Sequence, residues 1–408
     1  MLRWSLLGGA VPALLFVAAA LGLIWLTGGR RRRWRLRSIV LSVILSALIT
    51  AALVYYTENI WQPFPDALPA PVIALIGVGV LGLVLLVPRV RHSTWPVRPL
   101  AVVISTVVLL AAANGVNIYY GQFPTLGALL GAPVDDELPA GVLPPSDQST
   151  PPAHGDVAQL TIPGSFAARP AMIYLPPVYL VRNSPPLPVL ILFAGQPGSP
   201  RDWFASGDLA DRMDAFAAAD HGFAPIVVVP DVLGSALDNP LCMDSRLGKV
   251  GTYLDHDVPQ WIEHHLRVDG HWAVGGASNG GTCSLQTALR QPKLFPTFLD
   301  IAGQDEPTLG TREQTVAATF GGDEAAFRAQ NPLDELATHH YPGLAAMLTT
   351  SDQDDVYGPQ AQRVRQALEA AGVSVQFRVL PGRHGWMSFG PALSQALPWL
   401  VTRMGGTR

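Results

Sequence analysis

The sequence predicts an α/β domain with a mostly parallel sheet and helices on both faces, preceded by a four-helix transmembrane region. Hydrophobic residues make up 49% of the 408 residues and charged residues only 14%, against about 25% charged in an ordinary soluble domain. Four long uncharged apolar stretches fill the first third of the chain. In the rest, short runs rich in Val, Ile and Leu alternate with helix-like segments, which is typical of a sheet covered by helices.

The four apolar stretches each have the length of a bilayer-spanning helix. They cover about residues 5–27, 39–56, 70–87 and 100–119 and define a transmembrane region over residues 1–125. The first stretch is long and runs directly into a cluster of Arg residues, so we interpret it as a span rather than a cleaved signal peptide. No charged residue lies inside the stretches, which favours anchoring over an ion-transport role.

The distribution of Arg residues predicts the orientation in the membrane. Residues 1–125 carry ten Arg against two acidic residues, and nine of these Arg lie in the first and third loops and none in the second. The positive-inside rule then places the first and third loops in the cytoplasm and both termini outside it. We therefore predict a multi-pass protein of the cell membrane whose C-terminal domain is extracytoplasmic.

Composition changes again after the transmembrane region. Residues 126–155 lose periodicity and are rich in Pro, Gly and Ser, which predicts an extended linker. Residues 156–408 then form the predicted α/β domain, long enough for one sizeable core. Residues 126–408 contain 17 basic and 29 acidic residues, a net charge of −12. Nucleic-acid binding is not expected, because it depends on clustered Lys and Arg.

Eight strands and four helices are predicted within this domain. The strands cover about residues 157–162, 171–175, 189–193, 225–230, 272–275, 297–301, 345–349 and 375–380. Helical spacing occurs over about residues 208–219, 255–266, 283–290 and 359–371.

A Gly-x-Ser-x-Gly motif follows the fifth predicted strand and precedes a predicted helix. It runs from Gly276 through Ser278 to Gly280. In a nucleophile elbow the serine occupies a strained strand-to-helix turn, and the glycines allow the backbone to pass closely. A glycine-rich turn with an incidental serine is the alternative, but the strand before and the helix after favour a nucleophile.

A serine nucleophile needs a base and an acid, which in the α/β-hydrolase fold follow in the order Ser, Asp or Glu, His. His384 lies in the loop after the last predicted strand, where a catalytic base belongs. For the acid, the loop after the preceding strand offers Asp354, which we prefer, with Asp355 and Asp352 as alternatives. We therefore predict an α/β-hydrolase fold preceded by the transmembrane region.

Two N–H groups should form an oxyanion hole for an acyl-transfer intermediate. Asn279, directly after the nucleophile, supplies the first. The second should come from the loop after the third strand, where we favour the N–H of Gln196 over that of Gly195. Pro197 cannot donate.

The two cysteines, Cys242 and Cys283, predict a disulfide if the domain faces outward, and two buried free thiols are the alternative. Four residues with metal-binding side chains, His256 and Glu263 to His265, lie on one predicted helix. Adjacent residues of a helix point in different directions, so we interpret them as helix surface. No metal or organic cofactor is expected.

From about residue 156 onward the chain resembles the Putative esterase family, which includes esterase D, feruloyl esterases and mycolyltransferases. The resemblance rests on three segments, namely Ala171–Pro177, Gly276–Gly281 and His384–Phe389. It implies Ser278 as nucleophile, His384 as base and an acid among residues 352–355. Asn279 stands where Met is common in the family, and Ala194-Gly195 where His-Gly is frequent. The four-span anchor resembles membrane-tethered members from actinobacterial envelopes.

The sequence thus predicts a membrane-anchored extracytoplasmic serine esterase or acyltransferase that works through an acyl-enzyme. Tethering beside a bilayer raises the effective concentration of lipids, which favours acyl esters of envelope lipids or glycolipids as substrates. A non-catalytic envelope scaffold with a hydrolase fold is one alternative. An aminoacyl-lipid hydrolase or a peptidase, which could use the same triad, is another.

Overall fold

The chain divides into two compact units in the computed structural model, which describes residues 3–28 and 32–405. The units are Met1–Ala132 and Pro133–Arg408. Arg30 and Arg31, on which the predicted orientation partly rests, lie outside the described residues.

The first unit is a bundle of four long helices followed by one short helix. These are α1 (Ala10–Leu26), α2 (Arg32–Tyr56), α3 (Ala70–Arg91), α4 (Val97–Tyr120) and α5 (Leu126–Leu129). Among the described residues, three helical segments are long and apolar enough to cross a membrane, namely Leu36–Trp61, Ala70–Arg91 and Val97–Tyr120.

The first predicted span is shorter than expected. Helix α1 has 17 residues, or about 26 Å at 1.5 Å per residue, slightly less than a 30 Å hydrocarbon core. It begins only at Ala10 because Gly9, with a φ of 84°, breaks the helix. Before it, the backbone N–H of Leu6 donates to the carbonyl of Pro124 at 2.9 Å. The first predicted span is therefore present as an apolar helix of marginal length.

Small and polar residues determine how the helices of this unit pack. The Ser105 hydroxyl donates to the carbonyl of Gly82 at 2.9 Å, and the Ser46 hydroxyl donates to that of Gly77 at 3.1 Å. Asn114, in α4, donates to the carbonyl of Leu6 at 3.0 Å. Such hydrogen bonds satisfy polar groups that lipid cannot.

The second unit is built on one eight-stranded sheet. Its first strand overlaps the first strand predicted from the sequence. The strands are β1 (Asp156–Leu160), β2 (Ala171–Leu175), β3 (Leu187–Phe193), β4 (Ile226–Val229), β7 (Val268–Ala277), β8 (Thr297–Ile301), β9 (Ala345–Ser351) and β10 (Ser374–Leu380). A two-stranded hairpin of β5 (Asp244–Ser245) and β6 (Gly248–Lys249) is separate from this sheet.

The strand order is β1-β2-β4-β3-β7-β8-β9-β10. β2 is antiparallel to both of its neighbours, and all pairs from β4 to β10 are parallel. All eight predicted strands are present, and the predicted α/β fold with a mostly parallel sheet is confirmed.

Ten α-helices are present in the described part of this unit. They are α6 (Arg201–Ala205), α7 (Leu209–Ala218), α8 (Val250–Thr252), α9 (Val258–His265), α10 (Asn279–Arg290), α11 (Arg312–Phe320), α12 (Glu324–Arg328), α13 (Pro332–Leu336), α14 (Tyr357–Ala370) and α15 (Trp386–Arg403). The central strands β3 and β4 are buried at every position. Alternate residues enter two separate apolar cores, with Ile191 in one and Leu192 in the other, as expected for a strand with helices on both sides.

The segment predicted as an extended linker, residues 126–155, departs from that prediction at both ends. Leu126–Leu129 is helical and belongs to the first unit. In the second unit, Leu143 packs against the core, and Glu137 forms an ion pair with Arg201 at 2.6 Å. Pro and Gly content indicated irregular backbone correctly, but not that this backbone would pack onto the domain.

The parallel strands bring distant segments of sequence to one edge of the sheet. The carboxyl ends of β3, β7, β9 and β10 all point to the same side. The loops that follow them contain Gln196, Ser278, Asp354 and His384. This edge is where ligands bind in open parallel α/β sheets.

Candidate active site

Ser278 lies in a sharp turn between β7 and α10. Its φ of 56° and ψ of −125° are unusual for a non-glycine residue, and such strain is typical of a nucleophile elbow. The turn is anchored because the Ser278 N–H donates to the carbonyl of Ile301 at 2.8 Å. The N–H of Gly281 in turn donates to the Ser278 carbonyl at 2.8 Å.

The glycines of the motif are required by close backbone contacts. A Cβ on Gly276 would collide with the carbonyl of Gly280, and a Cβ on Gly280 would collide with the carbonyl of Phe193. Strand, turn and helix can therefore approach only if both positions lack a side chain. This is the physical reason for the spacing seen in the sequence.

A hydrogen-bonded chain connects Ser278 to a buried carboxylate. The His384 Nε2 lies 2.9 Å from the Ser278 Oγ, and the His384 Nδ1 lies 2.8 Å from the Asp354 Oδ2. The side chain of Asp354 is 3% exposed. Its other oxygen accepts a hydrogen bond from the backbone N–H of Tyr357 at 3.0 Å.

The three candidate acids occupy different environments. Asp354 contacts His384, whereas Asp355 is exposed. Asp352 is also exposed and accepts from the backbone N–H of Gly382 at 2.9 Å. The structure therefore brings only Asp354 of the three into contact with the imidazole.

Two aromatic side chains hold the imidazole of His384. Tyr357 stacks on it with ring centroids 4.0 Å apart and an interplanar angle of 19°. Phe389 meets it edge-on at 5.0 Å and 86°. Sequence reasoning did not identify either residue, although Tyr357 is only three residues from Asp354.

The loop of residues 194–198, here called the oxyanion loop, lies against the elbow. A Cβ built on Gly195 would be 3.3 Å from the Ser278 Cβ and 3.2 Å from the Ala277 carbonyl. The side-chain amide of Gln196 donates to the carbonyl of Leu237 at 2.9 Å. Asn279, the other predicted oxyanion residue, begins α10 and is 6% exposed. The backbone N–H groups of both predicted donors are thus on segments that meet at Ser278.

The second unit matches a known protein family. The family model described as Putative esterase matches residues 167–400, more than half of the chain.

The chain belongs to the Putative esterase family.

An uncharacterized protein of Corynebacterium glutamicum is 35% identical over 397 residues, covering 92% of this chain and 91% of that protein. A ferulic acid esterase of known structure has a TM-score of 0.53 at 21% identity, covering 62% of this chain and 99% of its own. An S-formylglutathione hydrolase from Agrobacterium tumefaciens also has a TM-score of 0.53, at 17% identity, covering 62% and 97%. These structures share the fold of this esterase. Family membership makes the chain a serine hydrolase and implies an acyl-ester substrate.

A disulfide joins the two cysteines of this esterase. Cys242 and Cys283 are both buried, with Cα atoms 5.4 Å apart, and the bond closes a loop of 41 residues. It connects the loop that follows β4 to helix α10, five residues after Ser278. The disulfide predicted from the sequence is therefore present.

Removing this disulfide should destabilise the esterase. Closing a loop of 41 residues lowers the entropy of the unfolded chain, which raises its free energy by about 4 kcal/mol at 25 °C in the loop-entropy model. We expect Cys242→Ser/Cys283→Ser to lose about this much free energy of unfolding, measured by urea titration of the full chain in detergent. Dithiothreitol should lower the midpoint of the wild type and leave that of the double variant unchanged. A double variant as stable as the oxidised wild type would contradict the prediction.

A buried carboxyl group that the sequence did not indicate lies beneath the elbow. Asp300, in β8, is 3% exposed and accepts from the backbone N–H of Gly303 at 2.8 Å. A Cβ on Gly281 would collide with its Oδ1. Burial raises the pKa of Asp300 to about 7, and the hydrogen bond from Gly303 opposes this shift. Its charge state therefore changes near neutral pH.

Asp300→Asn should remove a pH dependence of stability. Because the pKa in the folded state lies above the unfolded value of about 4, Asp300 contributes stability below pH 4 that is lost as the pH rises through about 7. This loss in the wild type is on the order of 4 kcal/mol. The difference in unfolding free energy, variant minus wild type, should become more positive between pH 4.5 and pH 8. Thermal unfolding curves that shift in parallel for both proteins would argue against this.

The His residues of helix α9 bind their own helix. The Nδ1 of His264 lies 2.6 Å from the carbonyl of Gln260, and that of His265 lies 2.7 Å from the carbonyl of Trp261. Both contacts span four residues and involve the Nδ1 of each ring.

Proposed function

We propose that this protein is a membrane-anchored, extracytoplasmic serine esterase or acyltransferase that acts on acyl esters of envelope lipids or glycolipids. The observation that carries the proposal is the chain of hydrogen bonds from Ser278 through His384 to Asp354, at 2.9 and 2.8 Å, on a strained elbow. This order of a nucleophile, a base and an orienting acid is the arrangement that acyl transfer requires.

In the proposed first step, His384 Nε2 takes the proton of Ser278 as its Oγ attacks the ester carbonyl carbon. The negative oxygen that forms accepts hydrogen bonds from the backbone N–H groups of Asn279 and Gln196. The adjacent N-terminus of α10 also stabilises this charge. Collapse of the intermediate breaks the ester C–O bond, and the imidazolium of His384 protonates the departing alcohol. An acyl-enzyme remains on Ser278.

In the second step, water or an acceptor hydroxyl attacks the acyl-enzyme. His384 removes a proton from the attacking group and returns it to Ser278 when the acyl group leaves. Asp354 keeps the His384 Nδ1–H oriented and stabilises the imidazolium through both steps. Its second oxygen is held by the Tyr357 N–H, so the carboxylate has one orientation.

The proposed substrate class follows from the first unit of the chain. Within its described part, three helices could cross a membrane, and a domain attached to a bilayer encounters lipids at high effective concentration. Orientation by the positive-inside rule supports an extracytoplasmic active site. Lipid esters are therefore proposed over freely diffusing metabolites.

A fluorophosphonate probe and a series of p-nitrophenyl esters test the proposal on the full chain in detergent. We expect covalent labelling of the native protein but not of heat-denatured protein, and mass spectrometry should locate the adduct on Ser278. Faster hydrolysis of long-chain than of short-chain esters would support lipid substrates. Partition of the acyl group to an added alcohol would distinguish transferase from hydrolase activity. A folded protein that neither labels nor turns over would favour the non-catalytic scaffold.

A further inference from the structure

A buried ion pair lies behind the oxyanion loop, outside the triad. Asp231 follows β4 at the carboxyl edge of the sheet and is 1% exposed. Its partner, Arg169, precedes β2 and has a side chain that is 27% exposed. Burying a carboxylate costs free energy unless each of its oxygens accepts hydrogen bonds. The donors to Asp231 therefore show which segments of the chain this ion pair connects.

Asp231 is fully surrounded by donors. The guanidinium of Arg169 donates through Nη2 to one oxygen at 2.6 Å and through Nε to the other at 3.0 Å. The backbone N–H of Arg169 donates at 2.8 Å. The N–H groups of Leu233 and Gly234 donate at 3.2 and 3.0 Å. Both segments, the one before β2 and the one after β4, are therefore fixed to a single carboxylate.

The same guanidinium also binds the oxyanion loop. Arg169 Nη2 donates to the carbonyl of Gly198 at 2.9 Å. The N–H of Gly198 donates to the carbonyl of Ala236 at 3.0 Å, and the side chain of Gln196 donates to that of Leu237. The C-terminal end of the oxyanion loop is thus attached to the segment that Asp231 organises, while Gly195 at its other end touches the elbow.

We propose that Arg169 and Asp231 are positioning residues that hold the oxyanion loop against Ser278. The inference rests on the proposed function, because it assumes that this loop donates to the oxyanion. An arginine suits the task since its planar fork binds both carboxylate oxygens and has donors left for a carbonyl. A lysine ammonium could not make the same set of contacts. A small displacement of an oxyanion donor raises the activation free energy, because its hydrogen bond stabilises the transition state only in the correct geometry.

Arg169→Ala tests the role of the guanidinium. We expect kcat for p-nitrophenyl esters to fall by about 10- to 100-fold, while KM changes by less than about threefold because ground-state binding is retained. Affinity for an alkyl trifluoromethyl ketone, which forms a tetrahedral adduct, should fall in parallel with kcat. Added guanidinium chloride at millimolar concentration should restore part of kcat, and Arg169→Lys should not rescue it.

Arg212 provides a matched control. Its side chain is 24% exposed, it forms an ion pair with Asp208, and its Nε donates to the carbonyl of Gly207 at 2.7 Å. It thus resembles Arg169 in side-chain exposure and in donating to a backbone carbonyl, but it does not bind the oxyanion loop in any contact of the described residues. Arg212→Ala should either keep the wild-type kcat or lose activity that added guanidinium does not restore.

Three results would overturn the positioning role. In the first, Arg169→Ala retains kcat and the affinity for the ketone. In the second, its loss of activity matches a loss of folded protein and guanidinium has no effect, so the pair only stabilises the fold. In the third, KM rises while kcat is unchanged. Failure of the proposed function itself would be distinct, since the wild type would then neither label with fluorophosphonate nor turn over.

Discussion

Ser278→Ala should abolish almost all turnover, lowering kcat for ester hydrolysis by a factor on the order of 10⁶. The reason is that the proposed mechanism needs the Ser278 Oγ, which lies 2.9 Å from the His384 Nε2, to attack the carbonyl carbon. His384→Ala should cause a loss of similar size. The double variant should be no worse than either single variant, because nucleophile and base act as a unit.

Steady-state hydrolysis of p-nitrophenyl esters by the full chain in detergent measures this effect. Ser374→Ala is the matched control. Ser374 is exposed at the first position of β10, at the amino edge of the sheet and opposite the candidate site, so its replacement should leave kcat unchanged. If Ser278→Ala kept more than a few per cent of wild-type kcat while remaining folded, Ser278 would not be the nucleophile.

Asp354→Asn should lower kcat by about 10⁴-fold with little change in the fold. An amide keeps the shape of the carboxylate, but it cannot hold the His384 Nδ1–H in the required tautomer or stabilise the imidazolium. The 2.8 Å contact between His384 and the Asp354 Oδ2 would be replaced by a neutral contact. The Michaelis constant should change much less than kcat.

The neighbouring acids give two controls for this prediction. Asp355→Asn removes an exposed charge and should have no measurable effect on kcat. Asp352→Asn keeps an oxygen that can accept from Gly382 and should have only a small effect. Circular dichroism would show that all three variants are folded. A larger loss in Asp352→Asn or Asp355→Asn than in Asp354→Asn would assign the acid to a different residue.

Much of the fold follows from local patterns in the sequence. Strands such as β2 and β8 were predicted to the residue, because each is a short apolar run between breakers. The elbow was also predicted, because Gly276, Ser278 and Gly280 have the local spacing that such a turn requires. Helices α6, α8, α11 to α13 and α15 were not predicted. The first five are short, and α11 depends on a capping box at Thr311 and on packing, while α15 contains two Pro residues, which disfavour a helix interior.

The segment before β1 shows the limit of composition. Its Pro and Gly residues indicated irregular structure, but irregular backbone can either extend into solvent or pack onto a domain. Which of these occurs depends on contacts such as that of Glu137 with Arg201, 64 residues away. Such contacts have no signature in the local sequence.

The sequence by itself determined the α/β class, the eight strands, the apolar helices, the elbow and the chain order of the candidate serine, acid and base. All of these depend on residue type and on spacing within a short window. Only the tertiary structure decided that Asp354, rather than Asp352 or Asp355, contacts His384, and that Arg169 reaches both Asp231 and the oxyanion loop. Contacts of this kind depend on the direction of side chains on loops that converge at one edge of the sheet. Small differences in backbone geometry therefore decide which side chain makes the contact.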